Sequence, residues 1–248
     1  MQLMVAHSKY IRRALKPPKG SYFLLGPRGT GKSTWLRYQY PDALRIDLLL
    51  GEEERRFSAY PEKIRDVAHS LPEGATLILD EIQRVPRLLP EIHALIEEKR
   101  GIQYILTGSS SRKLRRAVSD LLGGRALLLQ MGPFLASELK ESFSLEQALK
   151  TGLIPLIFES SDPGRRLLDY LHLYLKEEVQ AESLVRQIGD FSRFLEISSF
   201  SHASIWTTTD ISRESSVKRA TVDNYLQILE DLLLAFTIPV FIRRAKRK

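Results

Sequence analysis

Nine consecutive residues, Gly26, Pro27, Arg28, Gly29, Thr30, Gly31, Lys32, Ser33 and Thr34, set three glycines, a lysine and hydroxyl side chains in the order G-x-x-x-x-G-K-[ST]. Glycines at 26, 29 and 31 allow a tight loop whose backbone N–H groups point inward at phosphate oxygens, and a helix opening behind the loop adds its positive dipole end. Lys32 is placed to reach β- and γ-phosphates, and the Ser33 hydroxyl to ligate Mg²⁺. A second set, Thr76-Leu77-Ile78-Leu79-Asp80-Glu81, ends a buried strand in two carboxylates, where ligands bind in open α/β sheets. Asp80 is expected to share the Mg²⁺ shell with Ser33. Glu81 is expected to orient and deprotonate a water, the task that separates a hydrolase from a small-molecule phosphotransferase. A third segment runs from Tyr104 to Thr107, Ser109 and Ser110. Two readings stay open for it: a polar group that feels the γ-phosphate or the lytic water, or a plain strand-to-loop turn.

Short apolar runs at Tyr22–Leu25, Leu44–Leu48, Thr76–Leu79, Tyr104–Leu106 and Ala126–Gln130 read as buried strands. Helical spacing lies between them at Lys32–Tyr40, Pro61–His69 and Leu88–Lys99. Such βαβα alternation implies a parallel sheet covered on both faces, and it ends near Met131. From Pro133 to about Ser199 amphipathic segments follow one another, for example Gly164–Glu182 with Leu167, Leu168, Leu171, Leu175 and Val179 on one stripe. From Ser201 a polar stretch leads to a short helix at Thr209–Glu214, a three-residue break, a longer helix at Lys218–Asp231 and a strand-like tail. The expected architecture is therefore a P-loop NTPase α/β core over 1–132, a helical lid over 133–200, and a winged-helix-like module with a basic tail over 201–248.

The composition, 43% hydrophobic and 27% charged, excludes disorder across the whole chain. With no cysteine, disulfides, thiolate zinc sites and a cysteine nucleophile are excluded, and the cytoplasm is the expected compartment. The longest apolar stretch, Leu232–Ile242, is broken by Thr237 and Pro239 and falls short of the roughly 18 residues a membrane span needs, so no membrane partner is expected. The net charge of +7 suits a polyanionic partner. Bases cluster before Pro41, where no acid occurs, at Arg112, Lys113, Arg115 and Arg116, and from Arg243 to Lys248. The N-terminal cluster is not read as a transit peptide, because a core strand begins by Tyr22. The Arg112–Arg116 cluster fits a nucleic-acid footprint, an intersubunit phosphate sensor or a solvated helix face. The five histidines show no metal-ligand spacing, and Phe23 and Trp35 read as packing residues.

Asp210 to Leu229 reads as a helix-turn-helix with Val222, Tyr225, Leu226 and Leu229 packed inward and Lys218 and Arg219 opening the second helix. Its outward face carries Asp223 with Asn224 and Gln227; the acid would repel phosphates, and only the amides could read base edges. DNA binding and protein docking both remain open for this module.

The phosphate loop, Leu79-Asp80-Glu81-Ile82-Gln83-Arg84-Val85-Pro86, Leu106-Thr107-Gly108-Ser109-Ser110-Ser111 and Leu122-Gly123-Gly124-Arg125 together resemble the prokaryotic AAA-type ATP-binding proteins with DUF4143. The resemblance implies ATP and Mg²⁺ as cofactors, an adenine base, and ATP hydrolysis whose nucleotide state positions the C-terminal module. A nucleotide-gated DNA-binding regulator is the alternative. The resemblance further implies a sensor-like role for Thr107, Ser109 or Ser110, and Arg125 near the γ-phosphate of its own or a neighbouring subunit in a homo-oligomer. The expected catalytic set is then Lys32, Glu81, Thr107 and Arg125. Family members usually continue into a restriction-nuclease-like domain, whereas this sequence ends at Lys248, so no nuclease activity is carried over.

Overall fold

The computed structural model describes residues 10–108, 126–175 and 188–239 and divides the chain into two compact units, 1–177 and 178–248. In the first unit five strands, β1 (Tyr22–Leu25), β2 (Leu44–Asp47), β3 (Thr76–Asp80), β4 (Gln103–Gly108) and β5 (Leu127–Gln130), form one sheet in the order β2-β3-β4-β1-β5. Every pairing is parallel. Helices α1 (Lys32–Gln39), α2 (Gly51–Ala59), α3 (Lys63–Ser70) and α4 (Leu88–Glu97) make the connections up to β4.

Strands β1, β3 and β4 read as unbroken apolar runs because each buries both faces. Phe23 and Leu25, Leu77 and Leu79, and Tyr104 and Leu106 enter one core with α3 and α4 residues such as Ile64, Ile92 and Leu95. The intervening Tyr22, Leu24, Ile78 and Ile105 enter a second core with Trp35 and Leu36 of α1. The two-residue period of a strand separates these sets. Because β4 and β1 are neighbours and β3 flanks β4, the β3 carboxylates end up beside the loop that leaves β1.

Three expectations need correction. Helix α2 is an additional element; Glu52, Glu53 and Glu54 in its first turn, followed by Arg56 in its last, match the helix dipole. Strand β5 is not buried: Leu127 and Leu128 are 55% and 48% exposed, because among the described strands it is an edge, bonded to β1 alone. In the helical text, residues 163–169 form an α-helix that passes into a wider π-type turn at Tyr170–Leu175. There Leu168 and Leu171 face solvent, and Tyr170 takes the inward position instead.

The second unit's described part is three helices, Ile188–Ser199, Thr208–Ser215 and Arg219–Asp231. The last two are joined by a three-residue break, as the sequence suggests. Phe191, Phe194 and Tyr225 form an aromatic cluster, with ring centroids 5.1–5.9 Å apart. Val222, Tyr225 and Leu229 are buried as expected, but Ile228 fills the place assigned to Leu226. The strand-like tail does not form over 232–239. Leu233 adopts a left-handed φ of 57°, and the Leu234 and Ala235 N–H groups fold back onto the Leu229 carbonyl, which uses them in ending the helix. No strand of a wing is present among the described residues of this unit. No helix among the described residues is long and apolar enough to cross a membrane.

Candidate functional site

A peptide unit is planar and trans, so fixing a carbonyl in one direction aims the next residue's N–H in the opposite one. In the loop from Gly26 to Gly31 every carbonyl has a donor. Lys32 Nζ donates to Gly26 O at 2.8 Å and to Pro27 O at 3.3 Å, and Thr30 Oγ1 donates to Pro27 O at 2.8 Å. Tyr170 Oη donates to Arg28 O at 3.1 Å, the Leu156 N–H to Gly29 O at 3.1 Å, and Arg13 Nη1 to Thr30 O at 2.8 Å. The Trp35 N–H donates to Gly31 O at 2.8 Å, opening α1. The five amides from Arg28 to Lys32 are thereby turned away from these donors, which is the arrangement an anion needs.

The glycines are required for different reasons. Gly29 and Gly31 have φ of 80° and 85°, a region costly for other residues. At Gly26 a Cβ would stand 2.2 Å from the Met131 carbonyl oxygen, so closeness to β5's exit demands glycine there.

Beside the loop, Ser33 Oγ donates to Asp80 Oδ2 at 2.6 Å. Thr107 Oγ1 donates to the other oxygen, Asp80 Oδ1, and accepts from the Glu81 N–H at 3.2 Å. Thr107 is fully buried, so its hydroxyl links the β3 acid pair to β4. Gln83 Nε2 donates to Glu81 Oε2, and Glu81 itself sits in the left-handed region at φ 61°, ψ 49°. Ser33 and Asp80 are hard oxygen donors of the kind Mg²⁺ takes, and no group of three or more His, Cys, Asp or Glu side chains among the described residues could hold a metal. That donor set fits Mg²⁺, which keeps waters and borrows oxygens from substrate phosphates. Lys32, Ser33, Thr107, Asp80 and Glu81 are thus gathered at one strand edge. Ser109, Ser110, Arg125 and the Arg112–Arg116 cluster lie outside the described residues.

A cavity of about 250 Å³ adjoins the start of α1, walled by Tyr10, Thr34, Trp35, Phe134, Leu156 and Glu159 among others. Trp35 Nε1 and Tyr10 Oη are buried without a hydrogen-bond partner among the described residues. Burial also pushes the Glu159 carboxyl above its ordinary pKa.

Residues 19–140 match the family model described as an AAA domain. That part of the chain belongs to the AAA domain family. Residues 142–248 match a second model, a domain of unknown function (DUF8612), so the C-terminal part is not nuclease-like. Among solved structures, a Walker-type ATPase of Pyrococcus abyssi is similar at 17% identity with a TM-score of 0.54, covering 85% of this chain and 84% of that one, and shares the fold. No curated protein matches the chain.

The AAA domain implies nucleotide binding, yet its loop is braced from beyond the matched residues. Arg13 precedes them, and Leu156 and Tyr170 belong to the DUF8612 match. These residues carry no motif spacing, and Leu156 acts through its backbone, so no sequence signal marks it. Arg13 was visible only as one of the N-terminal bases.

Proposed function

We propose that the chain binds ATP with Mg²⁺ at residues 26–34 and hydrolyses it. The observation that carries this reading is the loop with its carbonyls turned outward, set beside a carboxylate pair at the end of β3, with Ser33 Oγ 2.6 Å from Asp80. Mg²⁺, when bound, would neutralise charge on the β- and γ-phosphates. Ser33 and Asp80 would hold it, while Lys32 would exchange its loop carbonyls for phosphate oxygens. Glu81 would take the proton of the attacking water, its carboxylate oriented by Gln83 and its backbone by Thr107. Arg125 is assigned the γ-phosphate, from its own or a neighbouring subunit, and Ser109 or Ser110 a sensing role beside Thr107. The cavity at Trp35 suits the nucleoside.

In this reading residues 1–132 are the ATPase core, 133–200 a lid, and 201–248 a module positioned by nucleotide state. Phosphate release decides it. Glu81→Gln should lower the rate by about 100-fold or more, the contribution typical of a positioned base, while ATP affinity is kept. ATP binding can be read from Trp35 emission in a Trp206→Phe background, because the chain has two tryptophans. Equal phosphate release by both proteins would remove Glu81 as the base.

A nucleotide-gated DNA-binding regulator is the second reading, supported by the two helices 208–215 and 219–231 meeting across a three-residue break. It requires salt-dependent duplex binding that differs between ATP and ADP. No binding at low salt with either nucleotide would refute it.

A further inference from the structure

Arg13 is one of eight bases before Pro41, yet its surroundings differ from those of a solvated cation. Its side chain is 7% exposed and its partner Glu138 4%. Arg13 Nε meets Glu138 Oε2 at 3.0 Å, and Nη2 donates to the carbonyls of Gly132 and Pro133 at 2.8 and 2.9 Å. Nη1 is directed at the phosphate loop, to Thr30 O at 2.8 Å. Glu138 is satisfied on both oxygens: the Ala14 N–H donates to Oε1 at 2.6 Å and the Leu135 N–H to Oε2 at 2.9 Å. The guanidinium also lies 5.0 Å from the centroid of the Phe134 ring. One planar fork therefore ties the segment before β1, the segment after β5 and the loop together, a geometry that a lysine's single ammonium cannot copy.

The contact to Thr30 falls on one of the two loop peptides that a glycine follows and a distant side chain holds, the other being Arg28–Gly29 with Tyr170. Gly31, on its far side, has no Cβ to bias φ, so the Thr30–Gly31 peptide can turn over at little steric cost, and turning over would swing the Gly31 N–H away from the phosphates. The neighbouring carbonyl of Gly29 is held by a backbone N–H and that of Gly31 by α1 itself, whereas Thr30 O is held by Arg13. Glu138 neutralises the guanidinium charge, which makes its effect on the anion site geometric rather than electrostatic.

We propose that Arg13 is a positioning residue for nucleotide binding, which acts by holding the Thr30–Gly31 peptide in the phosphate-binding orientation. This rests on residues 26–34 binding phosphates, and the experiment separates the two claims. Affinities for MgATP and for inorganic tripolyphosphate would be measured by calorimetry, well below each protein's melting temperature, for the native chain, Arg13→Lys, Arg13→Gln and Lys32→Ala. Arg13→Lys should bind both ligands at least tenfold more weakly. Arg13→Gln, whose amide ends two atoms short of Nη1 and does not reach Thr30 O, should lose at least as much. A purely structural role predicts lower melting temperatures with both affinities unchanged, and that result overturns the proposal. If neither Arg13 variant folds, Glu138→Gln decides, since it keeps the shape but loosens the fork; unchanged affinity there also overturns it. Tripolyphosphate binding that survives Lys32→Ala would instead remove the phosphate-loop reading on which the proposal rests.

Discussion

Between Gly26 and Gly31 three backbone carbonyls, those of Arg28, Gly29 and Thr30, are fixed by partners far away in sequence: Tyr170 is 142 residues from Arg28, and Arg13 is 17 from Thr30. In the helices of 188–239 two exposed arginines instead find an acid one turn away on their own helix. Arg193 pairs with Asp190 at 2.5 Å and Arg213 with Asp210 at 3.1 Å. Exposed cations neutralised by their own helix have little left to offer a partner and contribute little to stability. A cation held against loop carbonyls, as Lys32 is, has been brought inside at a cost and is available to an anion that binds better. The difference separates a recognition site from a solvated surface more reliably than counting bases does.

The contrast is testable by removing one cation from each region and measuring affinity and stability together. Lys32→Ala should weaken MgATP binding by about 10- to 100-fold, the worth of hydrogen bonds to a charged group, as read by Trp35 emission. Loss of affinity within twofold would put the loop in the same class as the helices. Next come two alanines introduced into the loop itself. Gly26→Ala should cost about 3 kcal/mol or more in denaturant unfolding, because its Cβ meets the Met131 carbonyl. Gly31→Ala, with nothing within 4 Å, should cost roughly 1–2 kcal/mol from its left-handed backbone alone. A reversed order would mean that space, not conformation, is the lesser constraint at Gly26. Smallest of all, Arg213→Ala should leave unfolding within about 0.5 kcal/mol of native, since its side chain is 72% exposed.

What could be read from the sequence follows the same division. The loop, the Asp80–Glu81 strand end, the strands β1 to β4 and the helix-break-helix of 208–231 depend on neighbours within a few residues, and their patterns announce them. Burial at β5 could not be read, because an edge strand and an inner strand share the same apolar spelling. The stripe through Leu168 and Leu171 misled because the widening at Tyr170–Leu175 changes which side chains face inward. Arg13, Glu138 and Tyr170 escaped because their roles come from contacts made across 17 to 142 residues. Thr107 was found as a candidate, but its link between Asp80 and the Glu81 backbone needed the pairing of β3 with β4 to become visible.

Glu81 stands in a backbone conformation that disfavours any side chain, at φ 61°. Glycine would relieve that strain, so the fold's own preference at this position opposes the carboxylate. A lineage selected for heat resistance alone would drift toward glycine at 81 and lose the carboxylate proposed as proton acceptor while gaining robustness. If Glu81 is the base proposed above, persistence of glutamate across related chains would record selection for turnover, and glycine at this position would mark copies that have kept the nucleotide site as a binding device and abandoned catalysis.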